Sequence, residues 1–132
     1  MTSKKWWRSD FFALRAENLK ERVKIIKAIR DLFDKEDFLE VETPILQVSP
    51  GLEVHLQAFE TKFFEPFNED NTKTFYLHTS PEFAMKKLLA AGLPKIYQFA
   101  HVFRNGERSY RHHPEFIMLE WYRANHDYHI LM

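Results

Sequence analysis

The sequence contains no cysteine and only three glycines among its 132 residues. The lack of cysteine excludes disulfides, thiolate metal ligands and a cysteine nucleophile, and a reducing cytoplasm is the expected compartment. Three glycines are too few for most glycine-rich phosphate loops, and neither the GxGxxG nor the P-loop pattern occurs. No apolar run approaches the roughly 20 residues that cross a bilayer, and residues 1–10 lack the apolar stretch of a signal peptide. We therefore expect neither a membrane-bound nor an exported protein.

The charges balance, with 19 Lys and Arg residues against 19 Asp and Glu residues. A net charge of zero argues against a broad basic surface for nucleic acid, although a local basic site is still possible. The length and the 45% apolar content indicate one soluble globular domain. Aromatic residues reach 16%, which is high for a small domain. We therefore expect a partner surface, a ligand that stacks on rings, or further sequence beyond this segment.

Hydrophobic spacing predicts an α+β fold with mainly antiparallel strands and two helices. The first helix is predicted from about residue 17 to 35, where apolar residues recur at steps of three and four. The second begins after Thr79, which has Glu82 three residues on as in a capping box, and ends near residue 91 before Gly92. Strands are predicted at 38–44, 54–64, 74–78, 95–104 and 115–122, with a polar hairpin loop at 66–73.

The predicted hairpin 95–123 has a loop that concentrates cationic side chains around one acid, Glu107. The cationic residues are Arg104, Arg108, Arg111, His112 and His113. A solvated hairpin tip would explain these charges, and so would a phosphate site, because the planar guanidinium of arginine matches phosphate oxygens. Burial of Arg104 beside Phe103 would be costly without an anionic partner, which favours the phosphate site.

The strand that returns from this loop predicts a second feature. Phe116, Glu120 and Tyr122 share one face of it, and a ring, an acid and a phenol together suit a pocket for a planar base and an amine. The alternative is that the two aromatic side chains belong to the core. Glu120 is harder to explain as structure, since it lies among apolar residues and a buried carboxylate needs a cation.

Five short segments, taken in their order, resemble the class II aminoacyl-tRNA synthetases. Residues 103–107 (FRNGE) and 111–116 (RHHPEF) are similar to motif 2 of that class, and residues 38–44 (FLEVETP) are similar to motif 1. Residues 79–82 (TSPE) and 114–123 (PEFIMLEWYR) are most similar to the lysyl branch. The resemblance extends over nearly the whole chain and implies a class II synthetase-like antiparallel sheet flanked by helices.

Within the lysyl branch, the chain resembles the elongation factor P (R)-β-lysine ligases. The similarity rests on Trp6 and Trp7, on residues 48–51 (VSPG) with His55, and on residues 112–123. These ligases are shortened paralogues of lysyl-tRNA synthetase that activate (R)-β-lysine with ATP and transfer it to a lysine side chain of elongation factor P. The resemblance implies ATP and Mg²⁺ as cofactors, (R)-β-lysine or lysine as substrate, a homodimer, and no tRNA acceptor. Since the first helix is already predicted near the start of the sequence, no anticodon-binding domain is expected.

The resemblance also implies a nucleotide site around Arg104. This arginine matches the motif 2 residue that contacts the ATP α-phosphate and the substrate carboxylate, and it is the expected catalytic residue. His112, with Arg111 beside it, matches the part of the loop that reaches the outer phosphates, although His112 and His113 could also be merely solvated. Phe116 matches the ring that stacks on adenine. The acid that usually follows two residues after the arginine is missing, and either Glu107, one residue later, or the backbone takes its place.

A substrate site and a dimer interface follow from the same resemblance. Glu120 and Tyr122 match the residues that hold the side-chain amine of the substrate. Glu82 matches an acid near the other amino group, although it could instead only cap its helix. Pro44 matches the motif 1 proline at the dimer interface.

Motif 3 should lie downstream of this sequence, together with the acids that bind magnesium. We therefore expect residues 1–132 to be the N-terminal portion of a catalytic domain, with motifs 1 and 2 present, motif 3 absent and the sheet incomplete at the C-terminus. The alternatives are a fragment of a lysyl-tRNA synthetase that charges tRNA, a non-catalytic remnant that binds nucleotide or a partner, and a structural dimerisation module. His126 and His129 lack a third ligand, so no metal site is predicted from them.

Overall fold

The computed structural model describes residues 7–51 and 53–131, so Trp6 lies outside the described residues. The chain forms two compact units, Met1–Phe38 and Leu39–Met132. We describe each unit by itself.

The first unit is one long helix, α1 (Ser9–Lys35). It begins well before residue 17, because residues 9–16 contain no proline or glycine that would stop a helix. The predicted apolar stripe is confirmed only in its second half, where Phe33 is buried. Leu19 and Val23, in the first half, are 48% and 64% exposed.

The end of α1 is fixed by a reversal of the chain at Asp37, which has a positive φ of 57°. The reversal lets the backbone N–H of Phe38 donate to the carbonyl of Phe33 at 2.9 Å. The two phenyl rings then meet edge to face with their centroids 5.1 Å apart. A backbone bond and an apolar contact across the turn are the usual way in which a helix C-terminus is closed.

The second unit contains two three-stranded sheets, and the α+β prediction is confirmed. The first sheet has the order β1-β5-β6, with β1 parallel to β5 and β6 antiparallel to it. The second sheet has the order β2-β4-β3 and is antiparallel. The strands are β1 (Leu39–Glu40), β2 (Leu46–Gln47), β3 (Phe59–Glu65), β4 (Asn68–Leu77), β5 (Lys95–Phe103) and β6 (Glu115–Arg123). The helix α2 (Glu82–Ala90) precedes β5, and a 3-10 turn, Tyr128–Ile130, follows β6.

Three predictions in the first half of this unit are wrong. The strand expected at 38–44 pairs only over β1, and residues 54–58 form a turn and a single bridge, Gln57 to Asn105, rather than a strand. The polar segment 66–73 is not a loop, because the chain turns at residues 66–67 and β4 starts directly after it. Polar residues satisfy each other across this exposed hairpin, for example through the Lys73–Glu65 ion pair at 2.5 Å. Polarity alone therefore did not distinguish loop from strand.

The core of the second unit is built around β5. Ile96, Ala100 and Val102 are buried on one face of this strand, Tyr97 is buried on the other face, and Met85 of α2 is also buried. Gln98 shares its face with Ile96 and is buried as well, although it is polar. This rigid strand leads directly into the loop that holds the cationic residues.

Candidate active site

The pairing of β5 with β6 places the predicted site residues on the buried face of the sheet. Phe116, Met118, Glu120 and Tyr122 lie opposite Val102, Ala100, Gln98 and Ile96, respectively. Side chains alternate between the two faces of a strand, so these positions share one face. The prediction that a ring, an acid and a phenol share a surface of β6 is confirmed.

Glu120 is half-buried and accepts hydrogen bonds from two hydroxyl groups. The hydroxyl of Ser80 donates to Oε2 at 2.9 Å, and the hydroxyl of Tyr122 donates to Oε1. No ion pair within residues 7–51 and 53–131 includes Glu120. The carboxylate is therefore oriented by neutral donors and has no cationic partner of its own in this part of the chain.

Tyr122 remains protonated at neutral pH. Burial raises the pKa of its phenol, and the hydrogen bond to Glu120 and the negative charge of Glu120 raise it further. The phenol is thus a permanent donor to the carboxylate. Such a donor holds Oε1 of Glu120 in one orientation.

A cavity of about 260 Å³ lies beside Ser80, at the start of α2. It is lined by Pro50, Gly51, Glu53, Thr79, Ser80, Glu82 and Phe83. Two of these residues, Glu53 and Glu82, are acids, so the cavity suits a cationic or amine-bearing ligand.

The capping box predicted for α2 is wrong. The hydroxyl of Thr79 donates to the carbonyl of Pro50 at 3.1 Å, and it is the hydroxyl of Ser80 that accepts from the backbone N–H of Glu82 at 3.1 Å. Glu82 instead pairs with Lys86 at 2.5 Å, and this hydrogen bond raises the pKa of Lys86. Thr79 does not cap the helix because α2 begins only at Glu82, with Pro81 at the N-cap position.

Arg104 follows directly after β5 and is fixed from several sides. Its backbone N–H donates to the carbonyl of Pro114 at 2.9 Å, which closes the base of the loop. Its Nε donates to the carbonyl of Thr79 at 3.4 Å, and its guanidinium carbon lies 5.2 Å from the centre of the Phe116 ring. Its Nη1 is 4.0 Å from the carboxylate of Glu107. The structure thus brings together three of the residues predicted for nucleotide binding.

The turn after Arg104 explains how Glu107 reaches it. Gly106 has a φ of +79°, a conformation that L side chains rarely adopt. The Asn105 side chain accepts from the N–H of Gly106 at 2.9 Å, and the N–H of Asn105 donates to the carbonyl of Gln57 at 2.7 Å. The glycine in place of the usual acid is therefore required by the turn.

Arg111 and His112 lie in the exposed part of the loop. The guanidinium carbon of Arg111 is 5.7 Å from the centre of the Tyr110 ring, and Nδ1 of His112 is 2.8 Å from the hydroxyl of Ser109. Their predicted contact with the outer phosphates stays a prediction.

Two buried polar groups of the site were missed from the sequence. His78, at the end of β4, has its Nε2 2.7 Å from the carbonyl of His101. Thr43 donates from its hydroxyl to Oε1 of Gln98 at 3.0 Å, directly beside the position of Glu120. A signal was available for Gln98, which is a polar residue on the apolar face of a predicted strand.

Within residues 7–51 and 53–131, no group of three His, Cys, Asp or Glu side chains is placed to hold a metal ion. No helix in the same part of the chain is long and apolar enough to cross a membrane.

Two groups of side chains thus lie on the sheet: Glu120 with Ser80 and Tyr122, and Arg104 with Phe116 and Glu107. The family model of class II tRNA synthetases (D, K and N) matches residues 9–132. The chain belongs to this family.

Three curated relatives that the chain matches are each named "Elongation factor P--(R)-beta-lysine ligase". The relative from Haemophilus influenzae strain PittGG is 50% identical over 116 residues, which is 88% of this chain and 36% of the relative. The relative from Mannheimia succiniciproducens is 53% identical over 106 residues, which is 80% of this chain and 32% of the relative. The relative from Vibrio campbellii is 47% identical over 116 residues, which is 88% of this chain and 36% of the relative. The chain thus spans about a third of the length of the curated relatives it matches.

Proposed function

We propose that this chain provides the nucleotide and amine subsites of a ligase that activates (R)-β-lysine or lysine with ATP. A carboxylate oxygen of the amino acid attacks the α-phosphorus of ATP, the bond to the leaving oxygen breaks, and pyrophosphate departs. The amino group of an acceptor lysine on elongation factor P then attacks the acyl carbon, AMP leaves, and an amide forms. The names of the curated relatives support this choice of substrate and acceptor.

The observation that carries the proposal is the set of hydrogen bonds made by the half-buried carboxylate of Glu120. A half-buried carboxylate that is held by the Ser80 and Tyr122 hydroxyls, and that has no ion pair in the described chain, favours a ligand that brings the positive charge. The side-chain ammonium of lysine is such a ligand. The acids of the neighbouring cavity, Glu53 and Glu82, suit the second amino group.

Arg104 has the chemistry that the other half of the reaction requires. Its guanidinium would neutralise the α-phosphate and the attacking carboxylate, which repel each other until they are held together. Oε1 of Glu107 lies 4.0 Å from Nη1 of Arg104, where a phosphate oxygen of ATP would bind. We propose that phosphate oxygens displace Glu107 from Arg104, which leaves the acid free for the adenine amino group.

Magnesium is expected to assist such phosphoryl chemistry by charge neutralisation. The described residues 7–51 and 53–131 hold no set of three ligands for it, so no step is assigned to the metal.

Homodimerisation belongs to the same proposal, and the segment around Pro44 supports it. Pro44 is exposed, and Ile45, Leu46 and Val48 beside it are exposed apolar residues. Contiguous exposed apolar residues are typical of an interface. We infer that a second copy of the chain covers this segment. The cytoplasm is the proposed compartment, because the sequence contains no cysteine.

The test is amino-acid-dependent exchange of pyrophosphate into ATP by this polypeptide, with (R)-β-lysine and α-lysine compared and a reaction without amino acid as control. Exchange that depends on either amino acid supports the proposal, and faster exchange with (R)-β-lysine selects that substrate. Absence of exchange together with absence of binding of both amino acids would overturn it. Transfer of lysine to tRNA would favour the lysyl-tRNA synthetase alternative.

A further inference from the structure

His78 is a buried residue at which three hydrogen bonds meet. Its side chain is 1% exposed. Its backbone N–H donates to the carbonyl of Ile45 at 3.0 Å, and its carbonyl accepts from the N–H of Phe103 at 3.0 Å. Its Nε2 lies 2.7 Å from the carbonyl of His101. Because a carbonyl can only accept, Nε2 must carry the hydrogen, and the imidazole is a donor to β5.

The two residues that follow His78 each touch one half of the candidate site. The carbonyl of Thr79 accepts from Nε of Arg104 at 3.4 Å. The hydroxyl of Ser80 donates to Glu120 at 2.9 Å. A shift of the chain at His78 would therefore disturb the phosphate subsite and the amine subsite together.

The imidazole is not explained by packing alone. Its Nδ1 is buried without a hydrogen-bond partner in the described chain, which an apolar side chain of similar size would avoid. Burial lowers the pKa of His78, while the carbonyl of His101 and the charge of Glu120 act in the opposite direction. The side chain is thus neutral at pH 7, and what it contributes is the bond from Nε2.

We infer that His78 is a positioning residue, whose bond to the carbonyl of His101 fixes Thr79 and Ser80 and, through them, Arg104 and Glu120. The identity of the two ligands rests on the proposed function. The coupling between the two subsites does not depend on that function, because it follows from the hydrogen bonds of residues 78–80.

The test compares His78→Leu, which removes the donor and keeps much of the volume, with His78→Gln, which keeps an N–H donor at the end of the side chain. Dissociation constants for ATP and for lysine are measured by calorimetry, well below the melting temperature of every variant. His78→Leu should weaken both ligands by about tenfold or more, since small misplacements in a site have large effects. His78→Gln should restore most of the affinity for both.

Met85→Ala is the matched control, because Met85 is buried in the same unit and its side chain has no N–H or O–H donor that could hold the site residues. It should lower the melting temperature and leave both dissociation constants unchanged. Wild-type affinities in His78→Leu, or equal losses in Met85→Ala and His78→Leu, would overturn the inference.

Hydrogen exchange separates failure of this inference from failure of the proposed function. In the ligand-free protein, His78→Leu should raise exchange at the hydrogen-bonded amides of His78, Glu82, Phe103 and Arg104, and Met85→Ala should raise it in the later part of α2. Unchanged protection of those four amides in His78→Leu contradicts the positioning role, whatever the wild-type chain binds. A wild-type chain that binds neither ligand contradicts the proposed function alone.

Discussion

Glu120 and Tyr122 form a pair in which the phenol donates a hydrogen bond to the carboxylate and orients it. Burial and the neighbouring carboxylate raise the pKa of Tyr122, so its hydroxyl stays a donor. Glu120 is then held in one orientation, with the Ser80 hydroxyl on its other oxygen.

Tyr122→Phe should weaken lysine binding by about 1.5–3 kcal/mol, the range for hydrogen bonds to charged groups, because Glu120 loses one of its two donors. Titration calorimetry measures the change. Tyr128→Phe is the control, since Tyr128 is exposed and outside the site. Equal binding by Tyr122→Phe and the wild type would remove the phenol from the amine subsite.

His78 should make the fold sensitive to mild acid. Its pKa is lowered by burial in the folded state, and the unfolded chain titrates near the ordinary value of about 6.5. The unfolded state therefore binds more protons below about pH 6.5, so the stability that neutral His78 provides is present above that pH and declines as the pH falls. Urea unfolding at pH 7.5 and 5.5 should show this loss, and His78→Gln should reduce it. The same loss in His78→Gln as in the wild type, or an equal reduction in the exposed-residue control His126→Gln, would assign the effect to other groups.

At the scale of elements, the sequence predicted best where one periodicity dominates. α2, β5 and β6 lie close to their predicted bounds, because each has apolar residues at regular steps between clear stops. The hairpin of β3 and β4 was predicted, but its loop was placed too long, because the polar residues 68–73 belong to β4 and pair across the strands. The capping box failed for a different reason: α2 begins only at Glu82, with Pro81 at the N-cap position, and the Thr79 hydroxyl donates to Pro50.

The buried pair Thr43 and Gln98 joins the segment after β1 to the centre of β5. Thr43→Val should destabilise the fold by about 1–3 kcal/mol, because Oε1 of Gln98 is left buried without a donor. Urea denaturation gives the difference. Thr61→Val, on exposed β3, is the matched control and should change stability by less than about 0.5 kcal/mol. A neutral Thr43→Val would mean that the pair is dispensable for the fold.

At the scale of the whole molecule, the sequence led to the residues of the site but not to their connections. Arg104, Phe116 and Glu107 lie together as expected, and so do Glu120 and Tyr122. The segment 78–80, which touches both groups, was predicted as a strand end and a helix start, with Thr79 and Ser80 in a segment that resembles the lysyl branch, but not as a link between the two groups. Its role depends on hydrogen bonds between residues distant in sequence, and no local pattern encodes them.

The exposed apolar segment beside Pro44 predicts an association of two copies. Val48 is 74% exposed within it, and Val48→Asp should shift the protein toward the monomer in sedimentation velocity, because a buried carboxylate in an interface lacks a partner. Val54→Asp, at a residue 92% exposed outside this segment, should leave the distribution as it is. A wild-type chain that is monomeric at all concentrations would exclude this interface.

In the proposed function, Glu120 on β6 binds the amine of the substrate, and Arg104 binds the phosphates of ATP. The most direct measurement is calorimetry of lysine and of ATP on the wild type, on Glu120→Gln, and on Glu115→Gln, an exposed acid of the same strand. The account predicts that Glu120→Gln weakens lysine binding by about 1.5–3 kcal/mol, roughly tenfold to more than a hundredfold, and leaves ATP binding nearly intact. Glu115→Gln should change neither. Equal loss of both ligands in Glu120→Gln, or loss of neither, would contradict the account.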